Sequence, residues 1–92
     1  MSPLDEQASV TMLYFASLRE KIGKDEELMT LPATVKTVAD LLDHLSGLDD
    51  AYDMAFADRQ SLRVAINQDH ADFDAKLTGA REIAFFPPMT GG

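Results

Sequence analysis

The last ten residues, Ile83 to Gly92 (IAFFPPMTGG), carry no charged side chain, although the chain as a whole holds 16 Asp and Glu against 8 Lys and Arg. Pro87 and Pro88 fix their own φ and bias Phe86 and Pro87 toward extended backbone, so the chain is expected to leave its last strand stiff and straight. Fully extended, the six residues from Pro87 to Gly92 reach at most about 20 Å, enough to thread a carboxylate into another protein. Gly91 and Gly92 add nothing to stability; their use is steric, allowing close backbone approach in a narrow channel with no Cβ beside the reacting carbon. The plain alternative is a frayed small-residue end, and a chance Gly-Gly ending arises roughly once in 200 chains. Gly-Gly on a proline-stiffened, uncharged arm is a more specific pattern than Gly-Gly alone. The chemistry available there is that of a C-terminal carboxylate, which is ionised at neutral pH with an ordinary pKa of about 3.3–3.7 and is a poor acyl donor. It must first gain a leaving group, such as a mixed anhydride with AMP. Sulfide attack on that anhydride gives a thiocarboxylate, a stable but nucleophilic store of sulfur.

The elements that must position this arm follow from patterning. Val10 to Phe15 (VTMLYF) is rich in β-branched and aromatic residues and predicts a first strand, apolar enough on both faces to be central. Ala16 to Ile22 predicts a short helix, with Leu18 and Ile22 four apart and Gly23 at the C′ position. Glu26 to Leu31 predicts a second strand that Pro32 stops. Thr37 and Asp40 have capping-box spacing with Asp for the usual Glu or Gln, and Val38, Leu41, Leu42, Leu45 and Leu48 then form one apolar stripe that Gly47 ends. Asp49 to Ala57 predicts a further turn or two of helix, with Tyr52, Ala55 and Phe56 inward. Arg63 to Asn67 predicts a strand, Gln68-Asp69 a turn and Ala71 to Phe73 a short edge strand. Leu77 to Ala80 is a turn leading to a last strand, Glu82 to Phe86. Strands at both ends around one amphipathic helix predict an α+β fold, a mixed sheet wrapped over a helix and compatible with a β-grasp.

At 92 residues the chain is one domain. A chain of this size buries roughly 60–68% of its unfolded surface, which allows one core and no cavity of enzymatic size. The apolar fraction of 46% argues against disorder in its body. A net charge of −8 is repelled by phosphate backbones and anionic lipid, which disfavours nucleic acid and membrane partners and favours a protein with a basic face. With no Cys, disulfides, thiolate metal sites and a cysteine nucleophile are excluded. The start, MSPLDEQ, has no basic segment ahead of an apolar one, so no signal peptide is read there and the cytoplasm is the expected compartment.

Three stretches together resemble a known family. They are Leu13-Tyr14-Phe15-Ala16 with Leu18-Arg19-Glu20, Val64-Ala65-Ile66-Asn67-Gln68, and Glu82-Ile83-Ala84-Phe85-Phe86-Pro87-Pro88-Met89-Thr90-Gly91-Gly92. Over about residues 10–92 the chain resembles the molybdopterin synthase small subunits, of the MoaD/ThiS group of β-grasp sulfur carriers. The ending FFPP-x-TGG is the most specific part. Met89 stands where a β-branched residue is common, and the acidic start lies outside the pattern.

Residues 1–8, polar with one Pro, read as a loose extension and 87–92 as the extended arm, while the resemblance implies 9–86 as a ubiquitin-like β-grasp domain. It implies that an E1-like adenylating enzyme, consuming ATP, activates Gly92 and that a sulfur donor protein converts it to the thiocarboxylate. The arm then enters the large catalytic subunit, where the sulfur passes to a cyclic pyranopterin precursor and builds the dithiolene of molybdopterin. Two small subunits on a large-subunit dimer make a heterotetramer, and this chain itself binds no cofactor. Besides Gly92, the residues the resemblance places against partners are Gly91, Thr90, Met89, Pro88, Pro87, Phe86, Phe15 and Arg19. Core packing competes for Phe15 and Phe86, and since a strand buries alternate residues, one of Phe85 and Phe86 faces outward. Arg19 competes with a reading as an ordinary solvated helix residue.

Other candidates are bland. His44 lies off the apolar stripe of its helix. His70 among Asp69, Asp72 and Asp74 lacks the spacing, central Gly and terminal Glu of a calcium loop, so no metal is expected. Asp49, Asp50 and Asp53 read as a solvated helix start. No catalytic triad or phosphate-cradling loop is visible, so the chain alone is not expected to catalyse a reaction. Two other functions share parts of this reading: a carrier for thiazole synthesis or a ubiquitin-like protein modifier, and a plain binding module with an incidental arm.

Overall fold

The computed structural model describes residues 9–87. The readings of 1–8 as a loose extension and of Pro88, Met89, Thr90, Gly91 and Gly92 as an extended arm lie outside the described residues.

The chain runs β1 (Ser9–Tyr14), α1 (Ser17–Ile22), β2 (Glu26–Thr30), α2 (Val38–Ser46), α3 (Asp50–Ala55), one 3-10 turn (Arg59–Ser61), β3 (Arg63–Ile66), β4 (Asp69–Ala71) and β5 (Glu82–Phe86). The five strands form one sheet in the order β2-β1-β5-β3-β4. β1 pairs antiparallel with β2 and parallel with β5, and β3 pairs antiparallel with both β5 and β4. This is a β-grasp, an α+β fold in which the last strand occupies the middle of the sheet.

Period-two alternation puts Val10, Met12 and Tyr14 of β1 and Ile83 and Phe85 of β5 on one face, all buried. Val38, Leu41, Leu42 and Leu45 of α2 pack against them, each fully enclosed. Burying each such side chain stabilises the fold by about 1.5–3 kcal/mol. The start of α2 is the expected capping box: the Asp40 amide donates to Thr37 Oγ1 at 3.2 Å and the Thr37 amide donates to Asp40 Oδ2 at 3.1 Å. α1 ends as expected at Gly23, whose φ of 91° needs no Cβ and whose amide donates to the Arg19 carbonyl at 2.8 Å. Asp49 caps α3, accepting from the amides of Ala51 and Tyr52.

Several details differ from the sequence reading. Leu48 is not part of the apolar stripe but 45% exposed, because α2 stops at Ser46 and the chain turns at Gly47 before the stripe's next position comes round. The edge strand is Asp69–Ala71 rather than Ala71 to Phe73. Asn67 and Gln68 both adopt positive φ, 50° and 74°, and make a two-residue turn that pairs Ile66 directly with Asp69. The second helical stretch is shorter than Asp49 to Ala57, and the 3-10 turn at Arg59–Ser61 had no counterpart in the reading.

Candidate functional site

The site is the root of the arm, where β5 ends. The parallel register sets Tyr14 of β1 beside Phe85 of β5, both turned into the core. The next residue on each strand must face the other way, and so Phe15 and Phe86 meet outside the sheet. Their rings stack with centroids 4.7 Å apart and planes within 3°. Phe85 is completely enclosed, Phe86 half-buried and Phe15 42% exposed, so the outward member of the Phe85-Phe86 pair is Phe86. On its other side Phe86 pairs with exposed Arg63 of β3. Pro87 follows, half-buried.

The same outer face continues along the register. Leu13 lies beside Ala84, Thr11 beside Glu82, and Leu28 of β2 beside Thr11. Leu28 is 71% exposed. Phe15, Phe86, Leu13 and Leu28 therefore share the sheet face opposite the one on which α2 packs. Arg19, the remaining sequence candidate on the described chain, is exposed on α1, four residues after Phe15. Of the sequence-derived set the structure brings together Phe15, Phe86 and Pro87. Gly92, Gly91, Thr90, Met89 and Pro88 lie outside the described residues.

Behind the ring pair stands an aromatic core. Tyr14 and Phe56 both pack on Phe85, with centroids at 6.2 and 5.1 Å. Beside it lies a polar cluster that sequence reasoning missed. Glu27 of β2 accepts hydrogen bonds from the hydroxyls of Tyr14 at 2.7 Å and Tyr52 at 2.6 Å, both on Oε2, and from Lys24 Nζ at 3.2 Å on Oε1. Burial pushes the Glu27 carboxyl up, but the bonds from Tyr52, Tyr14 and Lys24 outweigh it and hold the group below the ordinary carboxylate range. Burial, reinforced by the neighbouring carboxylate, pushes both tyrosine hydroxyls upward. No local spacing announces this cluster, because its partners lie 13 and 25 residues apart.

Asn67 holds the opposite end of β5. Its Oδ1 accepts from the amides of Arg81 at 2.8 Å and Glu82 at 3.1 Å, and its Nδ2 donates to the Gly79 carbonyl at 3.2 Å. The central strand is thus tied by a side chain where it enters the sheet and flanked by Phe15 and Arg63 where it leaves. Among the described residues no group of three or more His, Cys, Asp or Glu could hold a metal ion. No helix among them is long and apolar enough to cross a membrane.

A mixed β-grasp sheet with its last strand in the middle and one main helix packed on one face defines a ubiquitin-like domain. Residues 12–92 match the ThiS family. The chain is 39% identical over 83 residues to the molybdopterin synthase sulfur carrier subunit of Escherichia coli, covering 90% of this chain and 99% of that one. It is 36% identical to the subunit of the same name from Haemophilus influenzae, again over 90% of this chain and 99% of that one. Among solved structures it is similar to small archaeal modifier protein 1 of Haloferax volcanii, with a TM-score of 0.67 at 26% identity, covering 89% of this chain and 99% of that one. A putative molybdopterin converting factor subunit 1 from Pyrococcus furiosus shares the fold, with a TM-score of 0.69 at 24% identity, covering 89% and 99%. The chain belongs to the ThiS family.

Proposed function

We propose that this chain is the sulfur carrier subunit of a molybdopterin synthase and works through the carboxylate of Gly92. The observation that carries the proposal is the placement of the arm's root. β5 delivers Phe86 and Pro87 to the end of the apolar sheet face opposite α2, ahead of the Gly-Gly pair in the sequence, and the family match extends through residue 92. The two bacterial relatives named for molybdopterin synthase favour a pterin acceptor over thiazole synthesis or attachment to lysines.

In this reading an E1-like enzyme uses ATP to convert the Gly92 carboxylate to an acyl adenylate, releasing pyrophosphate. A sulfur donor protein then supplies sulfide equivalents that displace AMP and leave the thiocarboxylate. The loaded arm enters the large catalytic subunit, the thiocarboxylate sulfur attacks the cyclic pyranopterin precursor, and water then cleaves the resulting acyl–sulfur bond, leaving the sulfur on the pterin and returning the Gly92 carboxylate. The ring pair and Arg19 of α1 dock against the partners, in a heterotetramer of two carriers on a large-subunit dimer. This chain supplies reach, docking and a reactive end, and binds no cofactor itself. The assembly is placed in the cytoplasm, where the ATP-dependent loading enzyme would work.

Mass spectrometry tests this directly. After incubation with the adenylating enzyme, ATP and a sulfur source, an oxygen-to-sulfur mass increase is expected on the peptide ending in Gly92. No increase there overturns the proposal.

A further inference from the structure

The least comfortable backbone near the arm belongs to Ala16, between β1 and α1. Its φ of 52° and ψ of −126° lie where a residue bearing a Cβ is rarely found. The Leu18 amide donates to the Phe15 carbonyl at 3.1 Å and closes a four-residue turn with Ala16 in its second position. Those angles are the type II′ signature, which favours Gly at that position. Ala16 is exposed, so its methyl group fills no space in the core.

The neighbours impose the conformation. On one side the Phe15 amide donates to the Phe85 carbonyl at 3.2 Å, which extends the β1–β5 pairing by a residue and keeps Phe15 on the outer face. On the other side Leu18 is only 3% exposed and anchors α1 in the core. The chain must cross from the outer face to the core in three residues, and the left-handed turn does this while leaving the Phe15 ring on Phe86.

We propose that Ala16 is a positioning residue of the sulfur-transfer complex: its left-handed turn holds Phe15 flat on Phe86, so that the arm departs from a preformed two-ring platform that the large subunit engages. The inference rests on the sulfur-carrier reading. A platform ordered in the free chain spares the complex the entropy of ordering those rings on docking.

Ala16→Val tests it, because a β-branched residue resists positive φ and forces the turn open. Ala16→Gly accepts the same turn without strain. Phe15→Leu keeps the turn and much of the apolar bulk but removes the stack. Each chain, loaded as the thiocarboxylate, is assayed with the large subunit for KM and kcat, and the free chains are examined by NMR for Phe15–Phe86 ring contacts. Ala16→Val is expected to lose the ring contacts and raise KM about three- to tenfold, the scale of an aromatic pair, with kcat changed by less than about twofold. Ala16→Gly is expected to keep both the contacts and the normal KM, and Phe15→Leu to show the raised KM.

An Ala16→Val chain that keeps the stack, or loses it at unchanged KM, overturns the positioning role, as does a raised KM in Ala16→Gly. If Ala16→Val does not fold, Phe15→Leu decides, and an unchanged KM there overturns the platform. A wild-type chain that passes no sulfur overturns the function reading and the platform with it. Normal wild-type transfer beside these failures overturns only the platform.

Discussion

Tyr52 on α3 donates its hydroxyl to Glu27 on β2 at 2.6 Å, tying a helix to the edge of the sheet across 25 residues of sequence. Tyr14 donates to the same oxygen from β1. One carboxylate therefore links three elements, and its charge state bears on stability. The folded chain holds Glu27 below its ordinary value of 4.5, so this contribution is present above that pH and is lost as pH falls through the depressed folded value. Both tyrosines are raised above 10.0, so their contribution is present below that pH and is lost as pH climbs past it. Stability measured by chemical denaturation is expected to form a plateau between these limits. Glu27→Ala is expected to cost about 1–3 kcal/mol by leaving the buried Tyr14 hydroxyl without its acceptor, and to flatten the acid limb. An unchanged acid limb in that variant would remove Glu27 from the account.

Adjacent phenylalanines are expected to fail in opposite ways. Phe85→Ala empties the centre of the core and is expected to cost about 3–5 kcal/mol, read from the denaturation midpoint. Phe86→Ser leaves the core intact and is expected to cost about 1 kcal/mol. It is nevertheless expected to weaken binding to the large subunit by about tenfold or more, measured by calorimetry. Equal loss of stability in the two variants would contradict the opposite facing of these side chains.

Deleting Gly91 and Gly92 is expected to abolish sulfur loading, followed by mass spectrometry, while shifting unfolding free energy by no more than about 0.5 kcal/mol. The core is already closed at Phe85. A truncated chain that still supports transfer would return the arm to the status of an incidental end.

Asn67→Ala removes the acceptor for two backbone amides and places a less tolerant residue at a φ of 50°. A loss of about 1–2 kcal/mol is expected. Asn67→Gly should recover only the backbone share, and full recovery by Gly would show that the side-chain bonds contribute nothing.

The readable parts of this fold were those whose causes lie close together in the chain. Thr37 and Asp40 announced α2 because a capping box operates over three residues, and Gly23 announced the end of α1 because only a residue without Cβ is comfortable there. Phe85-Phe86 announced an inner and an outer ring because strand alternation has a period of two. What was misread depended on partners elsewhere. Gln68 is an unusual residue for a turn with two positive φ values, so β4 was set two residues late. Leu48 continued a helical spacing that the backbone abandons at Gly47. Phe15, Phe86 and Pro87 were picked out by resemblance, but the stack of the first two depends on parallel pairing between the first and last strands, which no local pattern encodes. The bonds that converge on Glu27 had no signal for the same reason.

The order β2-β1-β5-β3-β4 makes closure of the sheet depend on one long-range pairing. β5 joins the β1–β2 pair to the β3–β4 pair, and until it is in place neither half has its neighbour. Bringing β5 beside β1 closes a loop of most of the described chain, so the union of the two halves is expected to be the slow step of folding, later than either antiparallel pair.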